Sequence, residues 1–134
     1  MSMGKKSRKY YNISNEVRRL YNSKTGLKQI EIDVFQKWYD SKNGCCEYCG
    51  ISGQDSLILF NKYPESTRGG RRGKRLELDR IDPLIKNYGQ DISNLALACY
   101  WCNNAKTNYF NYEEFKKIGE TIKLVQRNRL SQLK

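Results

Sequence analysis

Two Cys-x-x-Cys pairs constrain this chain more than any other feature of its sequence. The first pair is Cys46 and Cys49, the second is Cys99 and Cys102, and the chain contains no histidine. Four thiolates can satisfy one Zn²⁺ in a closed tetrahedral site at about 2.3 Å, with each pair supplying two corners through a tight turn. Gly50 suits such a turn, because a backbone that directs its amides toward sulfur often needs a positive φ. We therefore expect one structural zinc ion, held by these four cysteines.

The alternative is that the cysteines are buried thiols or form disulfides. A secreted disulfide scaffold normally has a signal peptide and a dense, even set of cysteines. This chain has five cysteines and begins Met1-Ser-Met-Gly-Lys-Lys, without an apolar segment. We therefore expect a cytoplasmic, non-secreted protein. Cys45 is the cysteine left over, although it could replace Cys46 as a ligand at a wider spacing from Cys49.

The charge of the chain indicates a polyanionic partner. Its 134 residues suit one domain, and they carry a formal net charge of +11 with a pI near 9.5. Basic residues concentrate in segments 5–28 and 62–75, which contain one acid each, Glu16 and Glu65. Such runs can be plain solvated faces, but guanidinium groups in a glycine-rich loop also suit phosphates and guanine edges. The predicted DNA contacts are Arg18, Arg19, Arg68, Arg71, Arg72, Lys74, Arg75 and Lys106.

No membrane partner is expected, because no stretch approaches twenty apolar residues. Within the chain, residues 1–28 are predicted to form a basic N-terminal arm with a short helix from Ser14 or Asn15 to Tyr21. Residues 29–134 are predicted to form the folded domain. Its first helix follows Ile30, has Asp33 as its N-cap and stops at the Asn-Gly pair 43–44.

The rest of the domain reads as strands followed by helices. The apolar run 57–60 predicts a short buried strand, and segments 76–80 and 94–99 alternate as two antiparallel strands do. A long loop joins these two strands, and a helix follows near Cys102, which makes a ββα unit. The last helix is predicted to begin at Asn111, with Glu114 completing a capping box, and to end near Arg129. The predicted fold class is therefore α+β.

These features resemble a known family. The strings LELDRIDP, NY and NLALACYWCNNAKTN are similar to the HNH, or ββα-metal, endonuclease motif with its zinc-binding cysteine pairs, and CEYCGIS extends the resemblance to the PacI-like restriction endonucleases. The resemblance covers residues 32–122. It implies a small ββα-metal core with a Cys₄ zinc site, flanking helices and a basic N-terminal arm. It also implies a homodimer that hydrolyses duplex DNA with Mg²⁺ or Mn²⁺ and leaves 5′-phosphate and 3′-hydroxyl ends.

The resemblance assigns a role to five positions. Asp79 and Asn103 match the ligands of the catalytic cation, and Asn94 matches the residue that orients the general base. Arg80 stands where the family usually has its histidine, and it can stabilise phosphate charge but cannot accept a proton. PacI-like members share this arginine and have a tyrosine in the following loop, which makes Tyr88 the candidate activating group. Asp82 and Asp91 are the alternatives as metal ligand or as base if the loop folds differently.

Two other interpretations stay open. The missing histidine would suit a non-catalytic nucleic-acid-binding module on a degenerate HNH scaffold, and a basic zinc protein can also bind RNA. The chain lacks the cysteines of the N-terminal zinc motif that PacI-like enzymes carry. The motif occurs in restriction enzymes as well as in phage and mobile-element nucleases, so it does not separate these roles.

Overall fold

The computed structural model describes residues 13–68 and 72–133, which form a mixed fold of helices and one small sheet. The regular elements are helices α1 (Asn15–Ser23), α2 (Ile32–Ser41) and α3 (Gly53–Lys62), strands β1 (Glu77–Arg80) and β2 (Leu95–Ala98), and helices α4 (Tyr100–Lys106) and α5 (Tyr112–Leu133). Short 3₁₀ turns span Thr25–Gln29, Pro64–Ser66 and Ile92–Asn94. The predicted α+β class is confirmed. Within the described residues, no helix is both long and apolar enough to cross a membrane.

The sheet and the helix after it form the predicted ββα unit. Strands β1 and β2 pair antiparallel, with Glu77 opposite Ala98 and Arg80 opposite Leu95. All four residues of β2 are buried, because the strand lies in the middle of the core. Helix α4 begins immediately after Cys99, whose sulfur accepts a hydrogen bond from the amide of Cys102. Cys99 therefore caps helix α4 in addition to its place among the four cysteines.

The described part of the predicted N-terminal arm belongs to the core. Val17 and Leu20 on α1 and Leu27 in the following turn are buried in the same apolar cluster as the ββα unit. Helix α1 also packs against α2. The boundary predicted at residue 28 therefore does not coincide with a change in packing, because the apolar face of a basic helix pairs with the domain. Residues 1–12 of the arm lie outside the described part of the chain.

Segment 57–60 is a helix, so the prediction of a strand there is wrong. Ser52 caps α3 by accepting a hydrogen bond from the amide of Asp55 at 3.0 Å. On this helix Leu59 is buried, whereas Leu57 is 41% exposed. A run of four apolar residues carries no period, and here the polar residues before it begin a helix.

The ends of the other helices follow the predicted signals with small shifts. Helix α2 begins after Glu31, so Asp33 is in its first turn and is not the N-cap. It stops before Asn43 and Gly44, whose φ angles of 57° and 63° leave the helical region. The capping box of α5 is confirmed, since the side chains of Asn111 and Glu114 each accept a hydrogen bond from the other residue's amide.

Candidate active site

The four predicted cysteine ligands come together in a buried cluster. The sulfur atoms of Cys46, Cys49, Cys99 and Cys102 all lie within 4.8 Å of one another, and the Cys49 and Cys99 sulfurs are 3.7 Å apart. A tetrahedral zinc site with bonds of about 2.3 Å has sulfurs about 3.8 Å apart, so the cluster fits that ion. Cys45 is outside it, where its thiol donates to the carbonyl oxygen of Asn43.

The electrostatics of the cluster also suit a cation. Hydrogen bonds from the other thiols, that of Cys102 first, hold the pKa of Cys46 far below its usual range. Hydrogen bonds within the cluster raise the pKa of Cys99, that with Cys102 first, and the pKa of Cys102, that with Cys46 first. A bound cation would allow all four to ionise.

The first cysteine pair forms a turn that is attached to the sheet. The amide of Glu47 donates to the carbonyl oxygen of Leu97 on β2 at 2.7 Å, and the amide of Gly50 donates to that of Cys46 at 3.0 Å. Gly50 has a φ of 80°, as the sequence predicts for this position. We call residues 46–50 the cysteine turn. Its contact is with β2, the strand that pairs with β1, on which Asp79 lies.

Asp79 is a buried carboxylate on β1 with two partners. The Tyr48 hydroxyl donates to its Oδ2 at 2.8 Å, and the Lys106 ammonium lies 3.4 Å from the same oxygen. Among the described residues no other partner reaches the carboxylate, so Oδ1 is available for a cation. Burial raises the pKa of Asp79, and the Tyr48 hydrogen bond and the Lys106 charge oppose that rise. Burial and the neighbouring carboxylate raise the pKa of Tyr48, so its phenol stays a donor.

Asn103 is held by an acid that the sequence analysis did not single out. Its Nδ2 donates to Glu77 Oε1 at 2.9 Å, which leaves the amide oxygen as an acceptor. Arg72 donates to both carboxylate oxygens of Glu77, at 2.6 and 2.9 Å. The sequence contained a signal that could have identified Glu77. Residues two apart on a strand share a face of the sheet, and Glu77 lies two residues before Asp79 on β1.

Arg80 and Tyr88 are neighbours, as their predicted roles require. The Arg80 guanidinium lies 5.3 Å from the centre of the Tyr88 ring, and its Nη1 donates to the carbonyl oxygen of Lys86 at 3.0 Å. On the same ring, the Lys24 ammonium lies 5.1 Å from the centre. The loop that carries Tyr88 packs on the turn after α1, where a side chain on Gly89 would meet the Gly26 carbonyl oxygen.

Asn94 has a different partner from the predicted one. Its side chain accepts from the Asp82 amide at 2.7 Å and donates to the Asp82 carbonyl at 3.1 Å, so its hydrogen bonds fix the chain after β1. The carboxylates of the two alternative acids accept local hydrogen bonds that stabilise turns. Asp82 accepts from the amide of Leu84, and Asp91 accepts from the amide and hydroxyl of Ser93. Both carboxylates thus have local structural partners in the loop.

A polar groove of about 460 Å³ brings most of the predicted catalytic residues together. Asp79, Arg80, Tyr88 and Asn103 line it, and Asn94 does not. The charged residues that line it besides these are Arg19, Lys24, Arg72 and Glu77. An adjoining hollow is lined by Lys74 and Arg75 together with Arg19 and Arg72. The groove therefore combines acceptor oxygens for a cation with guanidinium groups for phosphates.

The remaining predicted DNA contacts divide into three groups. Lys106 is 1% exposed, and its ammonium also donates to the Arg80 carbonyl at 3.1 Å, so the prediction that it contacts DNA is wrong. The physical reason is that it neutralises the buried carboxylate of Asp79. Arg18 and Arg68 are exposed and do not line the groove. Arg71 lies outside the described residues.

Comparison with known proteins agrees with this geometry. A family model described as HNH endonuclease matches residues 46–109. The SPbeta prophage-derived putative HNH endonuclease YoqL of Bacillus subtilis strain 168 is 33% identical over 82 residues, which is 60% of this chain. The chain spans 30% of the length of that relative.

A solved structure supports the same assignment. The rare-cutting HNH restriction endonuclease PacI superposes with a TM-score of 0.60 at 27% identity, over 92% of this chain and 80% of the PacI chain. The matched family segment contains the cysteine turn, both strands and α4. In both sequence and fold, residues 46–109 of this chain match the HNH endonuclease family.

Proposed function

We propose that this chain is a metal-dependent endonuclease that hydrolyses phosphodiester bonds of duplex DNA and leaves 5′-phosphate and 3′-hydroxyl ends. The observation that carries the proposal is the convergence of Asp79, Asn103, Arg80 and Tyr88 on one basic groove. These side chains come from β1, the loop after it and α4. An acid and an amide with free oxygens, beside an arginine and a phenol, form a set that suits phosphoryl chemistry.

Two kinds of cation fit the proposed enzyme. The Cys₄ cluster is closed and buried, which suits a structural Zn²⁺. The Oδ1 atoms of Asp79 and Asn103 are hard oxygen donors, which suit Mg²⁺ or Mn²⁺. When bound, such an ion supplies positive charge for the phosphate and for the departing 3′-oxygen.

The protein's own groups supply the remaining steps. Arg80 stays protonated at physiological pH, so it can hold a phosphate oxygen and stabilise the charge that develops on it. Arg72 and Lys24 extend the positive wall of the groove and can orient the DNA backbone. Tyr88 is our candidate for promoting the attack of water, because its ring lies beside Arg80 within the groove.

We further propose that the enzyme acts as a homodimer and cuts at a specific sequence. One groove of this kind cuts one strand, so two copies are needed to cut both strands of a duplex. The restriction function of PacI and the prophage origin of YoqL support a restriction-type or phage-type role. A non-catalytic DNA-binding module is the second candidate, because Arg80 replaces the family's usual base.

A plasmid-nicking assay with and without Mg²⁺ or Mn²⁺ tests the proposal. Wild-type protein should nick only with the cation, and Asp79→Asn and Asn103→Ala should each abolish nicking while keeping zinc content and DNA binding. Asn128→Ala is the control, because it removes an amide from the exposed side of α5. If the wild type binds DNA but cuts no substrate with either cation, the binding module is the better assignment.

A further inference from the structure

Tyr48 connects the cysteine turn to the proposed active site. It lies between Cys46 and Cys49 in sequence, is 2% exposed, and does not line the groove. Its hydroxyl nevertheless reaches β1 and donates to Asp79 Oδ2 at 2.8 Å. A side chain from the cysteine turn is thus in direct contact with the carboxylate that faces the groove.

The position of the Tyr48 ring is closely determined. The Phe115 ring packs against it edge-on, with centroids 5.0 Å apart. Gly119 on α5 approaches its backbone so closely that a Cβ there would lie 2.5 Å from the Tyr48 carbonyl oxygen. The next residue back, Glu47, is hydrogen-bonded to β2. The phenol therefore has little freedom to follow Asp79 if the carboxylate rotates.

Two donors on one oxygen also determine the orientation of the carboxylate. Tyr48 and Lys106 both contact Oδ2, and Lys106 is itself anchored on the Arg80 carbonyl oxygen. Rotation of Asp79 about its terminal bond would break both contacts. The arrangement therefore fixes which oxygen is left for a ligand, and that oxygen is Oδ1.

We propose that Tyr48 is a positioning residue that holds Asp79 in the orientation needed for the divalent cation, so that cation affinity in the groove depends on the cysteine turn. This inference rests on the proposed function, in which Asp79 is a cation ligand. Groups that orient metal ligands commonly contribute 10- to 100-fold to metal affinity or activity. A hydroxyl that served only to satisfy a buried carboxylate would change stability and leave cation binding unaltered.

Tyr48→Phe tests this inference, because it removes the hydroxyl and keeps the ring. Mn²⁺ binding to the zinc-loaded protein is measured from the spectroscopic signal of free Mn²⁺, and the groove site is defined as the binding that Asp79→Asn abolishes. We expect the dissociation constant for Mn²⁺ to rise at least about 10-fold. The Mg²⁺ concentration for half-maximal nicking should rise in parallel.

Tyr112→Phe is the matched control. The Tyr112 hydroxyl also donates to a carboxylate, Glu47 Oε2, at the same distance of 2.8 Å, and its ring lies beside that of Tyr48. This substitution removes an equivalent hydrogen bond outside the groove. We expect it to leave the dissociation constant for Mn²⁺ within about 2-fold of wild type, well short of the orienting effect.

Each outcome decides the inference. Unchanged Mn²⁺ affinity in Tyr48→Phe with full zinc content would overturn it, as would an equal loss in Tyr112→Phe. If Tyr48→Phe loses zinc, Mn²⁺ binding is compared in its zinc-replete fraction, and wild-type affinity there would assign the hydroxyl to the fold alone. Failure of the wild type to nick DNA while it binds Mn²⁺ would reject the nuclease proposal and leave the Tyr48 comparison intact.

Discussion

At the scale of single residues, Tyr88 is the groove residue whose aromatic ring has two cationic groups beside it. Its ring has the Arg80 guanidinium 5.3 Å from its centre and the Lys24 ammonium 5.1 Å from it. Positive groups at this distance attract the face of an aromatic ring and help to hold it in place. If the phenol promotes the attack of water, its oxygen matters more than its ring.

Tyr88→Phe should therefore lower the cleavage rate by about 10² or more while DNA affinity is unchanged. Tyr63→Phe is the control, because Tyr63 also has a guanidinium over its ring, that of Arg129 at 4.7 Å, but lies outside the groove. Single-turnover cleavage of a DNA substrate measures both variants. Adding Arg80→His to Tyr88→Phe should restore part of the rate, because histidine is a base. Wild-type cleavage by Tyr88→Phe across pH 6 to 9 would show that the tyrosine assignment is wrong.

The residues that the sequence did not predict correctly are those whose roles depend on distant partners. A lysine one turn after Asn103 reads as a surface charge, yet Lys106 is buried because Asp79, which is 27 positions earlier, supplies its counter-charge. The role of Tyr48 could not be predicted either, because no local sequence pattern indicates a hydrogen bond from position 48 to position 79. Asp79 and Asn103 each lie in a short motif that the sequence shows directly, and both line the groove as expected; their role as ligands stays a prediction.

At the scale of elements, α5 supports the cysteine turn from outside. Its Phe115 packs on the Tyr48 ring, and Gly119, one turn later, makes room for the Tyr48 backbone. Glycine in the middle of a helix normally costs about 1 kcal/mol relative to alanine. Here the absence of a side chain permits a close contact between two elements.

Gly119→Ala should consequently destabilise the protein, by about 1 to 3 kcal/mol, although alanine is the better helix former. The added Cβ would lie 2.5 Å from the Tyr48 carbonyl oxygen, and neither backbone can move without disturbing the cysteine turn. Gly53→Ala at the start of α3 is the control, because a Cβ there meets nothing within 4 Å. Chemical denaturation measures both free energies of unfolding. A gain in stability from Gly119→Ala would contradict the close packing.

Elements with a local signal were predicted well, and an element without one was not. The alternating strands and the reciprocal capping of Asn111 and Glu114 each leave a pattern over a few residues, and both are present. The run 57–60 fits a strand or a buried helix equally, and only the cap at Ser52 decides between them. The apolar face of α1 was overlooked because its basic residues dominate the composition of that segment.

At the scale of the whole molecule, the distribution of charge matters more than its total. The net charge of +11 comes mainly from segments 5–28 and 62–75, and of these basic residues Arg19 and Arg72 line both the groove and the adjoining hollow. Neutralised phosphates release counterions, so affinity for DNA should fall with salt in proportion to the number of contacts. We expect the basic residues that line the groove and the hollow to make these phosphate contacts.

DNA affinity should fall with salt with a log–log slope near −5 if about six phosphates are contacted. The double variant Lys24→Gln, Arg75→Gln should reduce the steepness by roughly 1 to 2. The control Lys117→Gln, Arg127→Gln removes the same charge from exposed positions on α5 and should change the slope little. Fluorescence anisotropy with a labelled duplex at several salt concentrations measures both. Equal effects from the two variants would place the DNA elsewhere.

The spacing of the four cysteines has a consequence for the synthesis of the protein on the ribosome. Cys49 completes the first cysteine pair, and it leaves the exit tunnel 50 residues before Cys99, whose sulfur lies 3.7 Å from its own in the folded protein. At 5 to 20 residues per second that interval is roughly 3 to 10 s. During it, the cluster has only two of its four sulfurs outside the tunnel, and Asn103 has not yet emerged. A nascent chain therefore cannot assemble the proposed cutting site before it has made almost the whole matched family segment.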